Sequence, residues 1–160
     1  MRVATTVVAA LLVVGGPCGL AAQTSASGTI APVGPPAVSP VRVDAGGACV
    51  VDLVQEYRID GTLSGKLSVD YRILVAGPCG SPAGTYSEEW IAHGTFSGSA
   101  RGEGVDATVL YTARVAAGGS VDGTMVVRGG VDGQLEVVGD FADQRLAYRG
   151  VLQDSRDGGR

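Results

Sequence analysis

The chain has 160 residues, 45% of them apolar and only 5% aromatic, with 26 glycines and a formal net charge of −4 from 12 basic and 16 acidic residues. The apolar fraction excludes a disordered chain, and the even spread of charge, with Lys66 the only lysine, excludes the basic patch of a nucleic-acid or anionic-lipid binder. A single histidine, His93, leaves too few donors for a zinc site, and no Gly-rich loop precedes a helix, so no metal or cofactor is expected.

Met1-Arg2 is followed by the apolar run Val7–Val14, then Gly15-Gly16-Pro17 and small residues up to Ala22. A charged start, a short apolar stretch and a small-residue cleavage site in that order describe a secretory leader. Residues 1–22 are read as a removable signal peptide, and the processed protein as secreted. The run is far shorter than the ~20 apolar residues that cross a bilayer, and every later apolar run is interrupted sooner, so no membrane span is expected. Cys18 is not read as a lipid-attachment site, because Gly15, Gly16 and Pro17 stand where an aliphatic residue and small non-proline residues are needed. Residues 23–43 hold Pro32, Pro35, Pro36 and Pro40, four of the seven prolines, and read as a flexible lead. The domain is expected over 44–154, with 155–160 a disordered tail.

Export places Cys49 and Cys79 in an oxidising compartment, where a disulfide between them is the natural inference. The other reading is that one or both are buried as small hydrophobes.

Within the domain the hydrophobic period is two. Leu67, Val69, Tyr71, Ile73 and Val75 alternate with polar neighbours, with Leu74 out of phase; Val105, Ala107, Val109, Tyr111, Ala113 and Val115 do the same, with Leu110 out of phase. Shorter alternations cover Val51–Ile59, Tyr86–Phe96, Val121–Val127, Leu135–Phe141 and Leu146–Leu152. Turn residues fall between them, among them Asp60-Gly61, Gly118-Gly119, Gly129-Gly130 and Asp132-Gly133, and no proline follows Pro82. The expected fold is all-β: a single antiparallel up-and-down β-barrel of about seven or eight strands, because a meander of that size must close to bury its apolar face and hide its edges.

The run Glu88-Glu89-Trp90-Ile91-Ala92-His93-Gly94-Thr95-Phe96-Ser97-Gly98-Ser99, followed by Gly123-Thr124-Met125-Val126-Val127, Gly133-Gln134-Leu135 and Tyr148-Arg149-Gly150, resembles the bacterial DUF3224 family. That family is similar in turn to the calycin-like barrel of the allene oxide cyclases. The resemblance covers about residues 48–153. It implies a closed eight-stranded barrel and assigns no catalytic residue.

Strand phase points Tyr57, Tyr71, Tyr86, Tyr111, Tyr148 and Trp90 inward, together with two polar residues, Gln55 and Glu88. The expected binding set is Gln55, Tyr57, Tyr71, Glu88, Trp90, Tyr111 and Tyr148, lining a pocket for a small hydrophobic or amphipathic ligand. A carboxylate among aromatic rings is costly to bury, which makes Glu88 the one candidate general acid or base. A one-residue bulge would instead turn it to solvent. His93 falls on the opposite phase with Glu89, as a solvent-facing pair. Three functions compete: a secreted binding barrel, a cofactor-free cyclase or isomerase using Glu88, and a secreted structural or protein-interaction module. Oligomeric state is not encoded in any of these patterns.

Overall fold

A computed structural model describes residues 23–44, 47–82 and 84–155. The leader with Cys18, and the tail from residue 156, lie outside the described residues. Among the described residues ten strands run in chain order: β1 Thr24–Pro32, β2 Ala37–Val38, β3 Arg42–Val43, β4 Cys49–Gly61, β5 Leu63–Val75, β6 Glu88–Ala100, β7 Glu103–Val115, β8 Ser120–Gly129, β9 Val131–Asp140 and β10 Arg145–Asp154, with one 3₁₀ turn at Phe141–Asp143.

All seven alternating segments of the sequence form strands, β4 to β10, and pair with their neighbours in sequence order. β1 pairs antiparallel with β10 (Thr24 opposite Leu152) and also with β4 (Ile30 opposite Ile59), which closes an antiparallel barrel of eight strands. The inner phase packs a single core that includes Leu67, Val69, Phe96, Val109, Met125, Val127, Leu135 and Val137. The outer phase carries charge: Arg72 and Arg42 both meet Asp52, and Arg149 bonds Glu136 at 2.7 Å. The out-of-phase Leu110 stands exposed on that outer face.

The lead departs from expectation. Residues 24–32 are a wall strand, so the barrel begins at Thr24 and not at residue 44. The physical reason is that seven strands leave two open edges, at β4 and β10, and β1 supplies backbone partners to both. Beyond β1 the chain continues along β4, with β2 opposite Leu53 and Val54 and β3 opposite Cys49 and Val50.

The two barrel ends differ. At one, the β6–β7 hairpin turns through Arg101 and Gly102 at φ 55° and 88°, the doubly positive geometry of a tight hairpin turn. The Arg101 guanidinium donates to Thr24 Oγ1 at 2.9 Å and pairs with Asp154, clasping the start of β1 to the end of β10. Below it Tyr148 plugs the interior: its hydroxyl accepts from Leu63 N–H at 2.8 Å and donates to Leu63 C=O at 3.3 Å. The other end carries the Cys49–Cys79 disulfide, with Cα atoms 5.2 Å apart, and the mouth of the barrel.

Candidate functional site

Four aromatic rings meet inside the open half of the barrel, all edge to face. Tyr71 is central: its ring centroid lies 5.6 Å from Trp90, 6.2 Å from Tyr111 and 6.3 Å from Tyr57, and Trp90 lies 6.4 Å from Tyr111. Such contacts align ring edges with neighbouring π-faces. The strands make room by alternating large with small. Ala92 stands between Tyr71 and Tyr111 in the cross-strand row, and Ala113 between Trp90 and Gly123. A Cβ on Gly123 would meet the Tyr111 ring at 2.8 Å, so that glycine is the space the tyrosine fills.

Against this cluster a cavity of about 580 Å³ opens to the barrel end, walled by Leu53, Gln55, Tyr57, Tyr71, Ile73 and Trp90. Its mouth exists because β1 parts from β10 after Ile30, opposite Leu146, and follows β4 instead. Residues 33–36 bulge between β1 and β2, with Gly34 at φ 73°. Gln55 secures the bulge, its Nε2 donating to the carbonyls of Gly34 at 3.2 Å and Glu56 at 2.7 Å. The other lip is formed by Asp140, Gln144 and Arg145 at the β9–β10 turn. Beneath the cavity lies a second void of about 10 Å³, sharing Tyr57, Tyr71, Ile30 and Leu146 with it and adding Tyr111.

The phenols sit in a poorly solvating place. The Tyr71 hydroxyl donates to the Tyr57 oxygen at 3.0 Å. Burial pushes the Tyr71 phenol well above its ordinary range, with Tyr57 and Tyr111 adding to the shift, and burial raises Tyr57 and Tyr111 as well. The Tyr111 hydroxyl is fully buried and has no hydrogen-bond partner among the described residues.

Of the seven residues expected to line a pocket, Gln55, Tyr57, Tyr71 and Trp90 share the cavity wall, and Tyr111 lies directly beneath. Two do not join them. Tyr148 belongs to the closed end, where its hydroxyl is bonded to Leu63. Glu88 is buried at the rim beside Val115 and Ser120, and its carboxylate accepts from the Trp90 indole N–H at 2.7 Å. Its inward phase is satisfied by that bond, which orients the tryptophan. Tyr86 precedes β6 and packs its ring beside Gly77. His93 is exposed on the outer wall, 3.7 Å from Asp70, and Glu89 faces Arg114.

The mouth was not legible in the sequence. Leu53 and Ile73 share the inward phase of their strands and could have been added on that ground. The Gly34–Pro36 bulge and the Gln144-Arg145 lip depend on where β1 leaves β10, which no local pattern marks.

Among the described residues no group of three His, Cys, Asp or Glu side chains is placed to hold a metal ion. The cavity wall offers rings, aliphatic side chains, one amide and phenol hydroxyls, a set that binds and orients apolar molecules. No protein-family model matches the sequence, and no curated protein matches it.

Proposed function

We propose that the protein is an exported barrel that binds a small, largely apolar or amphipathic molecule in the cavity between the Gly34–Pro36 bulge and the β9–β10 turn. The observation that carries this reading is the 580 Å³ space itself, closed below by an aromatic cluster and open at one end. Its volume falls in the range of sites for drug-sized ligands, and polar groups are few and placed at the wall and lip, which suits orientation more than solvation. Export is supported by the leader-like N-terminus and by the Cys49–Cys79 disulfide, which persists in oxidising compartments. A kinship with DUF3224-type barrels rests on the Gly94-Thr95-Phe96 run and the spaced strand glycines of the sequence.

Glu88 supports binding more than proton transfer, because its carboxylate is engaged by Trp90 and stands outside the cavity wall. Native mass spectrometry of the protein purified from its own culture medium tests the reading. A discrete added mass, lost together with a change in the emission of Trp90 on extraction with organic solvent, is the expected result. Bare protein whose Trp90 emission answers to no apolar compound would overturn it.

A further inference from the structure

The deep end of the cavity carries two hydroxyl protons that no described residue accepts. Tyr71 and Tyr57 share one hydrogen bond of 3.0 Å, so whichever phenol donates, the proton of the other has no acceptor among the described residues. The fully buried Tyr111 hydroxyl has no hydrogen-bond partner among the described residues. All three tyrosines line the void of about 10 Å³ under the main cavity, a space that holds one oxygen-sized atom. A buried, unsatisfied donor is expensive, and the Tyr111 hydroxyl beside one oxygen-sized void, with the half-buried Tyr57 offering a second proton from the cavity wall, is an arrangement lacking its acceptor.

We infer that the ligand is an apolar molecule carrying a neutral carbonyl at its leading end, with the carbonyl oxygen accepting from Tyr111 and from the Tyr57–Tyr71 pair. A carbonyl oxygen has two lone pairs and can take both protons. A carboxylate fits badly, because no lysine, arginine or histidine lines the void and an uncompensated charge there would be desolvated. A hydroxyl would bring a further donor to a place that already has two. The Arg145 lip lies at the mouth, so a charged end would be held there and not in the depth.

This inference rests on the binding reading above, and the test separates the two. Trp90 is the only tryptophan and stands in the cavity wall, so its emission reports occupancy of this site. Titrations would compare 2-undecanone, undecane and undecanoate on the wild type, Tyr111→Phe and Tyr57→Phe, with thermal unfolding of each variant. The expected result is that the ketone binds most tightly and that Tyr111→Phe weakens it about fivefold, as loss of one hydrogen bond implies, while leaving undecane unchanged. Ketone affinity unchanged in both variants, or undecanoate binding best, would overturn the carbonyl assignment and leave the cavity reading standing. Unchanged ketone binding with a lowered Tm in Tyr111→Phe would identify the partner of the hydroxyl as a structural water and also overturn it. No response to any of the three compounds, in emission or in native mass, would overturn both readings.

Discussion

Trp90 is fixed from two sides, by the Tyr71 and Tyr111 rings and by the Glu88 carboxylate on its indole nitrogen. Glu88→Ala removes the carboxylate that accepts from that buried N–H and should cost about 1–3 kcal/mol in urea denaturation, with a changed Trp90 emission; Glu88→Gln keeps an oxygen in place and should cost less. The phenols make a second prediction. Tyr57, Tyr71, Tyr111 and Tyr148 are all raised by burial in the folded state, so the folded protein holds their protons where the unfolded chain has lost them. Their contribution is therefore fully present below the ordinary tyrosine pKa of about 10 and is lost as pH rises beyond it. Urea midpoints should fall above that pH, and phenolate absorbance should rise in step with unfolding. The inward direction of these side chains was legible from a period of two, which encodes the face of a sheet. Height along the barrel is not encoded there, which is why Tyr148 and Glu88 read like Tyr71 in the sequence and sit at opposite ends of the molecule.

Seven strands could be read from alternation, and the eighth could not, for a reason visible in its own residues. In β1 the inward positions are Ala26, Gly28 and Ile30, a weak apolar signal next to a proline-rich run. The small residues are required: a Cβ at Gly28 would run into the Tyr148 side chain and the Asp60 carbonyl, so the ring of β10 occupies the space a side chain of β1 would need. Gly28→Ala should accordingly cost about 1–3 kcal/mol by overpacking, measured by thermal unfolding, although an alanine in the flexible lead first expected there would cost nothing. Gln55 acts at the same scale through the bulge. Gln55→Ala removes both of its bonds to the backbone and should weaken ligand binding more than it lowers Tm, since it loosens a lip of the mouth and leaves strand pairing intact.

For the molecule as a whole, the Cys49–Cys79 bond ties the start of β4 to the long β5–β6 connection, closing a loop with a sequence separation of 30. Reduction should lower stability by about 3–4 kcal/mol in the chain-entropy account, read from the urea midpoint, with far-ultraviolet circular dichroism of the native baseline retained because the barrel pairings do not depend on it. The closure of the barrel has a further consequence, in time instead of energy. β1 comes first in the chain, yet its partner β10 comes last, with Thr24 opposite Leu152. The ring therefore stays open until the final strand is available, and this one long-range pairing raises contact order and slows folding. Because Asp154 and Thr24 are clasped by the same arginine, their ends are neighbours. A circular permutant that begins near Cys49 and carries residues 24–43 behind a short linker after Ser155 would make β10 and β1 an ordinary hairpin, but it would move the long-range closure to the β1–β4 seam, now between the last strand and the first. It should therefore refold at a rate close to that of the natural order in stopped-flow experiments, because a closed ring always leaves one seam between its first and last strands.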